Sequence, residues 1–287
     1  MNAHSPIAIE EGPAQRVMVK PRGMTATMQN RTPIETEHVL PNFKLWSGLD
    51  IFPTPPWGTR ALFHYVLPAL GLDLPRSAAD PAAGLGHMSG IMREYVPEVY
   101  ATDIFDYRRF GAKLDHLVSF VQEGEYPFDV DWIITNPPFG DSARFLYRAF
   151  EVAKVGVAVL VRLNWLESEG RYDEIWSRTV PTGYAWFTGR LPMCIGGYDP
   201  EGSTATAYAW FVWVKDSSGH FGFRPPLFAP SFPIPYEAER MLTRPEVDLE
   251  FAKLHVPGFV PPSMLKKQQK AKKASAEANL LISADAD

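Results

Sequence analysis

The chain has 287 residues, 46% of them hydrophobic and 21% charged, with a formal net charge of −5. That is enough apolar sequence to bury one large α/β core with extensions, and the acidic balance excludes a basic nucleic-acid coat, leaving any phosphate binding to local patches. The single cysteine, Cys194, excludes a disulfide framework and a cysteine-rich zinc site; with no membrane-length apolar run and no signal-peptide core in the first thirty residues, a metal-free, membrane-free cytoplasmic protein is expected.

Residues 1–43 are polar with scattered proline and weak periodicity, and read as a flexible N-terminal arm made partly basic by Lys20, Arg22 and Arg31. Phe52-Pro53-Thr54-Pro55-Pro56-Trp57 then leads into a helix, with Ala61, Leu62, Tyr65, Val66 and Ala69 at helical spacing and the prolines suited to its first turn. The alternation typical of a parallel sheet follows. Residues 78–80 form a short strand ending in Pro81-Ala82-Ala83-Gly84-Leu85-Gly86. A helix is expected over 87–95, a strand over 99–104, a helix over 108–118 and a strand over 130–135. Residues 141–154 read as a helix with Phe145, Leu146, Ala149, Phe150 and Ala153 on one face. Residues 155–163 are nearly all apolar, as in a strand covered on both faces. The pattern loosens until 206–214, a strand rich in aromatic and β-branched residues that completes the sheet. Dense proline makes 216–262 an irregular wrapping segment, and 263–287 reads as a Lys-rich tail, a frayed helix or disordered. No repeat of solenoid period is present.

Three places carry chemistry. Asp80-Pro-Ala-Ala-Gly-Leu-Gly86 is a Gly-x-Gly turn between strand and helix, which lets a ligand approach the backbone closely. Position 89 is Ser, so the third glycine of the dinucleotide fingerprint is missing, and no Gly-Lys-Ser/Thr makes it a P-loop. Alone, the turn is equally a junction that needs small residues. Asp103 ends the next strand, where an acid can accept hydrogen bonds from two ribose hydroxyls; by itself it is more readily a helix N-cap or a solvated strand end. With no pyrophosphate-type turn, an adenosine linked to a smaller group fits better. Asn136-Pro137-Pro138-Phe139 follows a central strand at its carboxyl end, where open α/β sheets build their sites. It offers an amide, a carbonyl with no competing N–H beside it, and a flat ring, which together can hold a planar amino group.

In this order and spacing the chain resembles the Rossmann-like S-adenosylmethionine-dependent methyltransferases, and more narrowly the phage and bacterial DNA N6-adenine methyltransferases. Their (Asp/Asn/Ser)-Pro-Pro-(Tyr/Phe) motif is matched by Asn136 to Phe139. Their Asp-Pro-x-x-Gly-x-Gly motif is matched by Asp80 to Gly86, the acid after the second strand by Asp103, and an upstream Phe-x-Thr-Pro motif by Phe52 to Pro55. The resemblance covers roughly residues 45 to 215 and implies a methyltransferase domain over 44–215, with a mostly parallel central sheet and helices on both faces. It implies that Asp103 holds the cofactor ribose and Ile104 packs on its adenine. Gly84 and Gly86, with Ala82 between them and Asp80, let the backbone pass under the methionine part. Asp80 and Thr54, with Pro55 beside it, help hold the amino and carboxylate ends. Asn136 and the Pro137 carbonyl accept from the target amino group, and Pro138 and Phe139 complete that turn, the ring stacking on the base. The family's acid-aromatic-Leu motif is replaced by Leu114-Asp115-His116-Leu117-Val118-Ser119-Phe120; Asp115 or Ser119 could stand for the acid, and spacing favours Ser119, with Phe120 next to it.

The implied activity is methyl transfer to an exocyclic amino nitrogen, adenine N6 in DNA, with the base flipped from a duplex. An RNA base, a protein glutamine amide or a non-catalytic nucleic-acid-binding role are the alternatives. No general base is required, and His87 is expected only to pack or cap a helix. Arg162, Arg171, Arg178 and Arg190 are candidate phosphate contacts or, equally, a solvated surface.

Overall fold

The computed structural model describes residues 50–122, 124–140, 142–225 and 229–284. The expected arm over 1–43 lies outside them.

The fold is α/β. Helix α1 (Pro56–Ala61) carries proline in its first turn and widens into a π turn at Leu62–Val66 just ahead of Pro68. The sheet is then built by strand–helix alternation: β1 (Ser77–Asp80), α2 (His87–Met92), β2 (Glu98–Asp103), β3 (His116–Leu117), β4 (Trp132–Thr135), α3 (Ser142–Val152) and β5 (Gly156–Arg162). β6 (Gly183–Phe187), β7 (Tyr208–Val214) and β8 (Ser231–Ile234) complete it. The strand order is β3-β2-β1-β4-β5-β7-β6-β8. All pairings are parallel except those of β7, which runs antiparallel to both β5 and β6. This is the class I methyltransferase arrangement expected from the sequence, with β8 added at one edge.

Burial explains the patterns. β4, β5 and β7 are covered on both faces, one by a cluster around Trp57, Leu62, Trp132 and Trp210, the other by one around Ile133, Leu146, Val159 and Trp213. On α3, Phe145, Leu146 and Ala149 face the second cluster at helical spacing.

Three expectations need correction. The helix over 108–118 is a single 3-10 turn, Tyr107–Phe110, ended by Gly111 at φ 89°. The chain after it extends to pair His116 and Leu117 with Thr102 and Asp103. The loose stretch after β5 contains a strand, β6, whose alternating burial was masked by glycine and short length. The segment over 216–262 is not simply irregular. It contributes β8, whose Pro233 sits on an edge strand where no ladder bond is lost, and the helices α4 (Ala238–Leu242) and α5 (Pro245–Ala252). The final helix, α6 (Pro262–Ala284), begins where Ser263 donates its N–H and hydroxyl to the buried Asp199 carboxylate at 2.8 and 2.7 Å.

A buried guanidinium ties this wrap to the core. Arg60, wholly buried, donates to Glu94 at 2.8 Å, to Asp248 at 3.0 Å and to the Leu242 carbonyl at 2.8 Å. α1, the end of α2 and the α4–α5 segment thus meet at one charge.

Candidate active site

β1 is flanked by β2 on one side and β4 on the other, so the chain winds outward in both directions from this point. Open α/β sheets leave a crevice there, at the carboxyl ends of the strands. A cavity of about 580 Å³ occupies it, within the size range of small-molecule sites. It is lined by Asp50–Thr54 before α1, residues 80–85, 87 and 88 after β1, Asp103, Ile104 and Tyr107 after β2, 118–122 after β3, and Asn136 and Pro138 after β4, with Arg144 and Phe145 from α3.

The glycine turn is fixed by its own backbone. Gly84 (φ 54°) and Gly86 (φ 84°) adopt the left-handed region that glycine alone enters freely. A Cβ on Gly84 would lie 2.6 Å from Ile51 Cδ1. The Gly84 N–H donates to Asp103 at 2.8 Å, and the Phe105 N–H donates to the other Asp103 oxygen at 2.9 Å. Burial pushes the Asp103 carboxyl up to about 6 against these two bonds. Each oxygen keeps acceptor capacity beyond its backbone partner. Asp80 is buried deeper; it accepts from the Thr135 hydroxyl at 2.8 Å and more distantly from the Ala82 N–H at 3.4 Å, and burial pushes it up to about 7.

The other end of the cavity is assembled from remote segments. The Asn136 amide nitrogen donates to the Phe52 carbonyl at 3.1 Å and the Thr54 hydroxyl at 3.2 Å, with Met193 Sδ at 3.7 Å. A carbonyl can only accept, so these contacts fix which way the amide points. Its oxygen, Asn136 Oδ1, is buried and has no hydrogen-bond partner. The Phe139 N–H is bonded to the Asp50 carboxylate. Its ring packs on Phe52 at 5.3 Å and lies 4.0 Å beneath the Arg162 guanidinium. β5–β7 register pairs Arg162 with Tyr208, which brings the tyrosine within 6.4 Å of the same ring.

No protein-family model and no curated protein matches this sequence. Solved structures do resemble its fold. A protein from Pyrococcus horikoshii provisionally described as an RNA methyltransferase is 21% identical over 58% of this chain and 87% of its own, with a TM-score of 0.42. One from Listeria monocytogenes, provisionally described as a class I S-adenosylmethionine-dependent methyltransferase, is 14% identical over 69% of each chain, with a TM-score of 0.44. A third, from Vibrio vulnificus and provisionally described as the modification subunit of a type I restriction enzyme, is 16% identical over 72% of this chain and 56% of its own, with a TM-score of 0.39. At these values the chemistry has to be read from the residues of this chain.

Thr54, Asp80, Ala82, Gly84, Asp103, Ile104, Ser119, Phe120, Asn136 and Pro138 all line the one cavity. Four expected site residues do not. Pro55 caps α1, Gly86 backs the glycine turn, Pro137 is buried within its own turn, and Phe139 faces the Phe52–Arg162 side. Of the two candidates flanking β3, Ser119 lines the cavity, whereas Asp115 accepts from the Ala101 N–H at 2.7 Å and lies 3.7 Å from Arg93. Arg171 and Arg190 donate to backbone carbonyls, and Arg178 lies over Tyr147. Sequence reasoning missed Asp50, Tyr107, Met193 and Tyr208. Only the Asp50 and Tyr107 positions, each beside a recognised motif, carried a signal that could have found them. Among the described residues, no group of three or more His, Cys, Asp or Glu could hold a metal, and no helix is long and apolar enough to cross a membrane.

Proposed function

We propose that this chain transfers a methyl group from S-adenosylmethionine to an exocyclic amino nitrogen, adenine N6 in DNA. The observation that carries this is Asn136: its amide is oriented by Phe52 and Thr54 so that a buried, unpartnered acceptor is left beside the cavity. Leaving such a group unmade is costly, and a substrate N–H is the donor it lacks.

The cofactor fits the residues present. Asp103 has acceptor capacity for two ribose hydroxyls, Ile104 is 55% exposed at the rim as an apolar cover for a purine, and Ser119 and Phe120 line the wall beside it. Gly84 keeps the floor under the methionine part free of a side chain, with Gly86 supporting the turn behind it, and Asp80 and Thr54 stand at its polar end. When bound, S-adenosylmethionine supplies an electrophilic methyl group.

The chain's own contribution is to the acceptor. An aromatic amine is a poor nucleophile because its lone pair is delocalised into the ring. Asn136 Oδ1 and the Pro137 carbonyl would accept its two hydrogens, turn the nitrogen toward tetrahedral geometry and stabilise the positive charge that grows there. This is preorganised charge stabilisation, the counterpart of an oxyanion hole. Phe139 would stack on the base, which requires the Arg162 guanidinium to leave the ring face it covers. Lys266, Lys270 and Lys273 fall on one face of α6 and would offer local phosphate contacts on an otherwise acidic chain, while Lys267 is paired with Glu201.

The test is direct. The protein is incubated with methyl-labelled cofactor and, separately, with DNA, RNA and a protein extract, and each is digested to identify the modified unit. N6-methyladenine in DNA is expected. Label on an RNA base or a glutamine amide would move the substrate, and no label in any of the three would overturn the reading.

A further inference from the structure

His87 is a buried side chain with both of its ring nitrogens among the unpartnered polar atoms of the described residues. It follows the glycine turn, is 1% exposed, and lines the cavity. Its ring packs on Phe251 at 5.6 Å and Tyr198 at 6.3 Å. Neither ring nitrogen has a hydrogen bond of ordinary geometry, and the one polar group acting on it is the Phe251 backbone. Burial pushes the imidazole down to about 4, so it is neutral at physiological pH, with one donor and one acceptor nitrogen. Apolar packing alone would be served by phenylalanine, without a buried polar edge.

The cavity's charges indicate what the ring is for. Asp80 precedes the Gly84–Gly86 turn and His87 follows it, and both residues line the same cavity. Among the described residues, the only Lys or Arg lining the cavity is Arg144, whose neighbour Phe145 packs on Phe120, beside the adenosine wall. A zwitterion under the glycine turn therefore finds a carboxylate, Asp80, for its ammonium group but, among the described residues, no cation for its carboxylate.

We infer that His87 is a cofactor-binding residue that donates a hydrogen bond to the carboxylate of the methionine moiety, opposite Asp80. The inference rests on the cofactor reading above and adds a ligand to it.

The experiment compares S-adenosylmethionine, S-adenosylhomocysteine and 5′-methylthioadenosine, which lacks the amino-carboxylate, by calorimetric titration of the full chain. His87→Phe keeps the aromatic packing and removes both nitrogens. It should weaken the first two ligands by about 10- to 100-fold, the range for a hydrogen bond to a charged group, and change methylthioadenosine less than twofold. His87→Gln should recover part of the loss. Equal weakening of all three ligands, or of none, overturns the inference. Should His87→Phe not fold, His87→Leu carries the same comparison, with methylthioadenosine as the control. If the wild-type chain binds none of the three, the cofactor reading fails first and the inference with it; that result is separate from an unselective His87 variant.

Discussion

The two ends of the cavity are built in opposite ways. The glycine-turn end comes from one continuous stretch, β1 to β2, in which Gly84 donates to Asp103 and the strands pair in parallel register. The acceptor end gathers Asp50, Phe52 and Thr54 from before α1, Asn136 and Phe139 after β4, Arg162 at the end of β5, Met193 from a loop and Tyr208 at the start of β7. One end is a backbone shape that a local sequence dictates. The other is a set of side-chain orientations that exists only when the whole sheet is formed. Binding and catalysis should therefore respond to different kinds of damage.

The largest separation is expected for Asn136→Ala. Removing one preorganised group at a charge-stabilising site costs about 10²–10³ in kcat. Methyl transfer should fall by that factor while cofactor affinity and the circular dichroism melt stay near wild type. Transfer at the wild-type rate would break the comparison. Gly84→Ala attacks the other end. It forces alanine into the left-handed region, at about 1–2 kcal/mol, and sets its methyl against Ile51. The cofactor Kd should rise tenfold or more, and Gly86→Ala, with no contact under 3.7 Å, should do less; equilibrium dialysis of both variants would show whether the close approach matters.

Phe139→Ala should raise KM for nucleic acid about tenfold, given the 1–3 kcal/mol typical of base–aromatic stacking, and leave the cofactor Kd unchanged. If cofactor binding moved as much as KM, the two ends would not be separable. The smallest effect is a pH dependence. The Asp80 carboxyl is pushed up to about 7 from an ordinary 3.8 by burial. A raised carboxyl favours the fold when protonated; this contribution is complete below the ordinary value and is lost as pH rises through 7. Asp80→Asn stays neutral, so in the ligand-free protein its Tm should gain on wild type by a few degrees between pH 5 and pH 8. A constant Tm difference across that range would show Asp80 to be screened from this cost.

That asymmetry also explains what was legible in the sequence. Asp80, Gly84 and Asp103 could be read because the turn, the strand end and the spacing are all local. Asn136 could be read because prolines fix its neighbours. Arg162 over Phe139 could not, since it depends on a β5–β7 register set by burial on both faces and not by spacing. The missing helix after Phe110 has a similar cause. Residues 108–118 carry helical periodicity, but Gly111 turns the chain out, and β2 offers unpaired backbone that Thr102 and Asp103 share with His116 and Leu117. β8 was hidden by its proline, which reads as a breaker unless the strand is known to be an edge.

The Arg60 junction has a consequence for how this molecule is made. Its guanidinium and the Asp248 carboxylate are separated by 188 positions in the chain. During synthesis, α1 leaves the ribosome carrying a charge that must stay hydrated, because burying it with half its partners absent is strongly unfavourable. The nascent sheet can form early, but α1 cannot close down until α5 has been translated. The Asp50–Thr54 segment that orients Asn136 leads directly into that helix, so the acceptor end of the site should be the last part to mature.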